Sequence, residues 1–376
     1  MKVALVHDHL AQDGGAEKVL KVLAEIFPQA PIFTLLYEQE NADKYYKDRH
    51  IETSIIQKMP WGVKHYQWYM PFMPMAVEFF DFSPYDLVIS DTSSFAKGVI
   101  TPPETLHVCY CHTPTRYLWS DTHSYINELK YNKFFKKIIS LVLNYVRMWD
   151  KLAADRVDKY LTNSRTVQKR IQKYYKRNST VIYPPVEVEK YAPGKREKKK
   201  EEPYFLIGSR LTPYKRVDIV VKAFKELGYK LKIFGDGVDL KRLKKIAGDS
   251  PNIEFLGWVG EEQLKELYQN CEAFLNPQVE DFGITVVEAM AAGRPVIALQ
   301  KGGATETIIE GKTGVFFKEQ TVESIKKAVE KYYSLEFNGE EISREAQKFS
   351  QEKFKKEIID YLVKQGISRN DLEKNR

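Results

Sequence analysis

Glu280-Asp-Phe-Gly-Ile-Thr-Val-Val-Glu288-Ala-Met-Ala-Ala-Gly-Arg-Pro-Val-Ile297 is the stretch that decides the fold. It follows Ala273–Asn276, an apolar run that reads as a strand. Phe282, Gly283, Ile284 and Thr285 lead into a helix over Val286–Ala292, and Pro295–Ala298 is the next strand. Strands alternating with helices predict a parallel sheet and an α/β fold. The position also predicts chemistry. Backbone N–H groups at a helix start favour a phosphate, and Gly283 lets the backbone come close to a ligand. Glu280 and Glu288 stand eight positions apart, with Glu288 about a turn into the helix and within reach of a ribose hydroxyl. The plain alternative is acidic capping of a helix.

The same alternation extends outward. Strands at Tyr204–Gly208, Tyr229–Phe234 and Ile253–Leu256 enclose helices at Arg216–Glu226, Leu240–Ile246 and Glu261–Gln269. Upstream, strands are expected at Val3–His7, Pro31–Tyr37, Pro84–Ser90, Leu106–Cys111, Arg156–Thr162 and Thr180–Tyr183. A helix carrying Val19, Leu20, Val22, Leu23 and Ile26 at helical spacing follows the first of them. Tyr183-Pro-Pro185, then the charged run from Gly194 to Glu202, marks a domain linker. Two Rossmann-like domains are therefore expected, at 1–185 and 186–354, with an amphipathic helical stretch over Glu341–Lys364. Facing each other, such halves place a cleft at the carboxyl ends of both sheets, where open α/β sheets bind ligands.

The 376 residues carry 58 Lys+Arg against 51 Asp+Glu, a net charge of +7. That surplus suits an anionic partner: nucleic acid, an acidic membrane surface or a phosphorylated small molecule. The 43% apolar and 29% charged composition excludes disorder, collagen and coiled coil. Cys109, Cys111 and Cys271 are too few for a disulfide framework and point to a reducing cytoplasm. No secretory signal is visible, and no apolar run approaches the roughly 20 residues of a spanning helix. Two aromatic segments, Met59–Phe82 and the Lys-interleaved Tyr131–Lys151, suit a membrane interface. Core-facing helices with solvated charged sides would read the same way.

Other candidates also sit at strand ends. Gly208-Ser209-Arg210-Leu-Thr-Pro-Tyr-Lys215 offers two cations to a diphosphate, Arg as a planar fork and Lys as a point charge. They would offset charge building on a leaving nucleotide diphosphate. Gly14 and Gly15 open the first strand-to-helix loop, without a full G-x-G-x-x-G. His112 directly follows a strand. His7 and His9 share a strand face, but no nearby acidic or Cys cluster is visible to complete a metal site. Glu310-Gly-Lys-Thr313 resembles part of a Walker A loop, yet the required earlier glycine is Glu306, which excludes a P-loop. Gly302-Gly303 precedes a helix and suits cradling a sugar or phosphate.

Together these residues resemble the retaining glycosyltransferases of family 4, with the two-domain GT-B fold. Val-His-Asp-His, Ser93-Ser-Phe-Ala-Lys-Gly98 and Cys-His112-Thr-Pro-Thr-Arg-Tyr-Leu-Trp119 resemble bacterial mannosyltransferases that use GDP-mannose on lipid-linked saccharides of O-antigen or exopolysaccharide assembly. The resemblance implies that Glu280 orients the transferred sugar and Glu288 holds the ribose. It implies that Arg210 and Lys215 bind the diphosphate, with amides around Phe282–Thr285 and Gly14-Gly15. Ser209 falls in the donor-binding set. His112 would sit beside the sugar, and Val259 would contribute a backbone contact to the base. A helix over about 355–376 would pack back on the first domain. No cofactor or metal is expected, because cations replace the metal. The expected partners are a nucleotide sugar, a saccharide or polyprenyl-linked acceptor and an anionic membrane surface met from the cytoplasmic side; nucleic acid is not among them.

Competing readings are a UDP-sugar transferase of the same fold, a nucleotide-sugar epimerase, a two-domain dehydrogenase and a non-catalytic membrane-associated binding protein. The dehydrogenase needs a better glycine fingerprint. Intact Arg210, Lys215, Glu280 and Glu288 speak against the binding protein.

Overall fold

A computed structural model describes residues 1–11, 14–129, 131–193 and 202–373. The linker run read at 194–202 lies outside them except for its last residue. The chain forms two compact units: Met1–Tyr183 with Lys355–Arg376, and Pro184–Phe354.

The first unit is built on seven parallel strands: β1 (Val3–Leu10), β2 (Ile32–Tyr37), β3 (Ile51–Thr53), β4 (Leu87–Thr92), β5 (Leu106–Cys111), β6 (Lys159–Thr162) and β7 (Ser179–Val181). Their order is β3-β2-β1-β4-β5-β6-β7. Val3, Ala4, Leu5 and Val6 are all buried, the continuous apolar run of a parallel strand covered on both faces. The order reverses direction between β1 and β4, so the crevice beyond their carboxyl ends is the expected ligand position. Strand β3 went unread in the sequence because only three residues carry it, half-exposed at the sheet edge.

A 24-residue helix, Lys133–Arg156, starts at Asn132, whose Oδ1 accepts from the Phe135 amide at 3.0 Å. Leu143, Val146, Trp149 and Ala153 recur at helical spacing and pack with Met73, Val77 and Phe95. Each fully buried Leu or Val contributes about 1.5–3 kcal/mol. No helix among the described residues is long and apolar enough to cross a membrane.

The second unit has six parallel strands: β8 (Tyr204–Gly208), β9 (Lys230–Phe234), β10 (Ile253–Gly257), β11 (Phe274–Asn276), β12 (Val296–Leu299) and β13 (Gly314–Phe317), in the order β10-β9-β8-β11-β12-β13. Its reversal falls between β8 and β11. Strand β13 was also unread. It follows the Walker-like Glu310-Gly-Lys-Thr313, which is a turn: Gly311 has φ 76°, and Thr313 Oγ1 accepts from the Ile309 amide at 2.8 Å.

One expectation is corrected here. Glu341–Lys364 is not a continuous helical stretch. A helix at Gly339–Ala346 passes through a short turn at Gln347–Phe349 before a second helix at Gln351–Lys364. Ser350 is extended and bridges Val186, while the Val186 amide donates to Phe349 O at 2.9 Å. That backbone pairing outweighs local helix propensity. Within the first unit, Lys355 pairs with Glu25 at 3.1 Å.

Candidate active site

In the second unit the strand ends bring two predicted residues together. Lys215 sits in a single turn at Pro213–Lys215 after β8, and Glu280 follows β11, the neighbouring strand. Lys215 Nζ donates to Glu280 Oε1, with side chains 13% and 22% exposed. Gln278, which sequence reasoning passed over, donates from Nε2 to the same oxygen at 3.2 Å. Its own Oε1 and both amide atoms of Asn276 are buried without a partner among the described residues. Such groups cost about 1–3 kcal/mol each when left unsatisfied. Arg210 is exposed and Ser209 half-buried beyond β8.

Gly283 starts the helix Ile284–Ala291 with φ 93°, a left-handed conformation that favours glycine. Gly283, Ile284 and Thr285 are half-buried, whereas Phe282 is buried edge-on to Phe349. Glu288 is buried and accepts from Tyr268 Oη at 3.1 Å. Val259 is buried behind the exposed Trp258. Gly302-Gly303 is better explained as a support than as a cradle. Gly303 N–H donates to Glu280 O at 2.9 Å, and a Cβ on Gly302 would lie 2.3 Å from that same oxygen. A Cβ on Gly303 would lie 2.3 Å from Phe282 Cα. Both glycines are required for backbone to lie against backbone beneath Glu280.

In the first unit β1 and β4 pair in parallel with His7 opposite Asp91. His7 Nδ1 donates to Asp91 Oδ2 at 2.9 Å, and His112, just past β5, donates from Nε2 to Asp91 Oδ1 at 2.6 Å. On the other side of His7, Nε2 lies 3.8 Å from Glu17 Oε1, an ion-pair distance rather than a hydrogen bond. Glu17 Oε2 accepts from the Gly14 amide at 2.9 Å, at the start of the helix Gly15–Ile26. Gly14-Gly15 and His112 are thus joined through Glu17, His7 and Asp91. Two carboxylates, Asp91 and Glu17, therefore lie beside His7, brought there by the fold rather than by sequence neighbourhood. Both His7 nitrogens face carboxylates, and among the described residues no group of three or more His, Cys, Asp or Glu is placed to hold a metal ion.

The electrostatics follow from burial and pairing. Burial alone would lower the His7 pKa; Asp91 and Glu17 outweigh it and push it up to about 10. Burial would raise Asp91, but the charges and hydrogen bonds of His112 and His7 hold it below the usual carboxylate range. Asp8 points to the opposite face and is also held low, against burial, by His9 and His7 and by backbone amides. It accepts from Thr92 Oγ1 and from the amides of Ser93, Phe95 and Ala96, all within 2.7–3.0 Å. Lys97 pairs with the buried Asp150 at 2.5 Å, and Asp150 also accepts from Trp119 Nε1 at 2.7 Å and Thr115 Oγ1 at 3.2 Å. The segments around Ser93–Gly98 and Thr113–Trp119 are therefore tied to each other, which presents His112.

Two parallel Rossmann-like sheets, each with a polar cluster towards the carboxyl ends of its strands, define a two-domain α/β protein of the GT-B class. The Anabaena protein HepE, solved in complex with UDP, superposes with a TM-score of 0.71 at 18% identity, covering 97% of this chain and 100% of that one. Residues 13–190 match the model of Glycosyltransferase Family 4, and 189–356 match that of Glycosyl transferases group 1. The chain belongs to the family 4 glycosyltransferases. The alpha-1,3/1,6-mannosyltransferase of Dictyostelium discoideum is 25% identical over 73% of both chains. The GDP-mannose-dependent alpha-(1-6)-phosphatidylinositol monomannoside mannosyltransferase of Mycobacterium tuberculosis is 34% identical over 36% of this chain and 39% of its own. Across three curated relatives the chain spans 50–73% of their length, falling to about half in one.

Proposed function

We propose that the chain is a retaining glycosyltransferase that moves mannose from GDP-mannose to a saccharide or polyprenyl-linked saccharide. The observation that carries this is the contact of Lys215 with Glu280. A cation suited to phosphate touches a carboxylate suited to sugar hydroxyls, and in a nucleotide sugar those two groups are covalent neighbours. Arg210 and Lys215 take the diphosphate without a metal, Glu280 orients the sugar and Glu288 holds the ribose. Ser209, Phe282–Thr285 and Val259 complete the donor contacts, and His112 and Gly14-Gly15 are assigned to the sugar and the diphosphate. The bond from the anomeric carbon to the β-phosphate oxygen breaks, and the acceptor oxygen bonds to that carbon on the same face. The acceptor proton passes to the leaving phosphate, so Glu280 forms no covalent bond. Mannose and the guanine base are supported by the mannosyltransferase relatives.

A UDP-sugar donor is the second reading, favoured by the UDP in the HepE structure. A panel of GDP-mannose, UDP-glucose and UDP-galactose, with hydrolysis and transfer followed separately, decides between them. GDP-mannose is expected to turn over at least tenfold faster, a difference of about 1.4 kcal/mol in transition-state binding. Faster turnover of a UDP-sugar would overturn the donor assignment.

The same reading places the first unit on an anionic lipid surface. Phe134, Ile138, Leu141, Tyr145, Met148 and Leu152 are all exposed and fall on one stripe of the helix Lys133–Arg156. Lys133, Lys137 and Lys151 border that stripe.

A further inference from the structure

Asp91 is fully buried, and its two oxygens are taken by two imidazoles. A carboxylate only accepts hydrogen bonds, so both nitrogens facing it must carry protons: Nδ1 of His7 and Nε2 of His112. A neutral His112 then has its lone pair on Nδ1, and no hydrogen bond occupies that atom among the described residues. His112 is 11% exposed, where His7 is 3% and Asp91 0%. The chain of contacts therefore runs from a buried ion pair to one partly accessible nitrogen.

We propose that Asp91 is a positioning residue for transfer. It fixes the Nε2–H tautomer of His112 and turns Nδ1 outward to accept from a hydroxyl of the bound sugar, while His7 and Glu17 hold Asp91 and link it to the Gly14-Gly15 loop. This rests on the reading of His112 as a contact of the transferred sugar. The geometry is specific to a carboxylate with two imidazole neighbours. His7 balances the Asp91 charge from one side, so the carboxylate is not left buried and unpaired. Glu17 neutralises the other side of His7 and, through the Gly14 amide, sets the start of the helix Gly15–Ile26. The charged and titratable groups around this chain are Glu17, Asp8, His9 and Tyr110, whose ring lies 5.3 Å from that of His112.

The test is Asp91→Asn. His7, held between this position and Glu17, still donates from Nδ1 to the amide oxygen, which leaves the NH₂ facing His112 Nε2. That needs a lone pair there, which moves the proton of His112 to Nδ1. Nitrogen-15 histidine NMR on the full chain, assigned with His112→Gln and His7→Gln, is expected to show His112 as Nε2–H in the parent and Nδ1–H in Asp91→Asn. GDP-mannose turnover is expected to fall by about 10- to 100-fold with donor KM nearly unchanged. His112→Ala is expected to lose turnover as well, and combining it with Asp91→Asn to lose nothing more. If Asp91→Asn melts below the assay temperature, His7→Gln replaces it, with the same non-additive loss expected. A folded Asp91→Asn that keeps Nε2–H or full turnover, while His112→Ala is impaired, overturns the proposal and leaves the sugar contact standing. Full turnover in His112→Ala refutes the sugar contact itself, and the proposal with it.

Discussion

At the scale of single residues, legibility depended on sequence distance. The strand-end positions of Glu280, Lys215 and Arg210 were legible because local pattern alone places each just after a strand. Asp91 follows the expected strand Pro84–Ser90 just as closely, but its pairing was not legible, and neither was the place of Glu17. His7 meets Asp91 only because β1 and β4 pair in parallel at that register, 84 residues apart. No local signal marks such a pairing; the sequence showed only that His7 shares a strand face with His9. The buried cluster carries a pH signature. Folded His7 keeps its proton up to about pH 10, whereas an unfolded histidine releases it near 6.5. The stabilisation is therefore fully present below about 6.5 and is lost as pH rises towards about 10. Melting temperatures from pH 6 to 10 are expected to fall in the parent and to fall less steeply in His7→Gln. Parallel slopes would show that His7 is not protonated in the folded state.

At the scale of elements, helices at Val217–Leu227, Leu240–Ala247 and Glu261–Asn270 lie within a residue of their expected bounds at both ends. Their apolar spacing is strong and Gly228 and Gly248 end two of them. The two strands that went unread, β3 and β13, are short and lie at the edges of their sheets. The helix Lys133–Arg156 posed a different problem. It has an apolar stripe on the core and a second on the surface, and periodicity cannot say which is buried. Leu143, Val146 and Trp149 are inside, whereas Leu141, Met148 and Leu152 are outside. An exposed apolar stripe of this length calls for a cover, and bordering lysines suit anionic lipid at about 1 kcal/mol each near the surface. Co-sedimentation with vesicles of phosphatidylglycerol and phosphatidylcholine is expected to exceed that with phosphatidylcholine alone. The Leu141→Glu, Met148→Glu double variant should lose it and keep its melting temperature. A dimer that those substitutions dissolve, with no vesicle binding, would assign the stripe to a second copy instead.

At the scale of the whole molecule, a chain of net charge +7 divides into two units whose polar clusters lie towards the carboxyl ends of parallel strands. In the first unit the cluster is a fixed network of His7, Asp91, His112 and Glu17. In the second it is the Lys215–Glu280 pair, with Gln278 beside it and Gly302-Gly303 beneath. The order of each sheet reverses where its cluster lies, so the fold itself selects the ligand position. Two fold-level expectations met different fates. The alternation of strand and helix was legible across most of both units, though not at β3, β13 or the helix Val322–Tyr333, whereas the break at Ser350 came from pairing with Val186, which no local pattern encodes. The central claim is that Lys215 and Glu280 handle the phosphate and sugar of one donor. It is tested most directly by following GDP release from GDP-mannose with the parent chain and with Lys215→Ala and Glu280→Ala. Each variant is expected to keep its fold and to lose turnover by about 100-fold or more, as expected on removing a group that stabilises the transition state. Near-parental turnover in either folded variant would contradict the account.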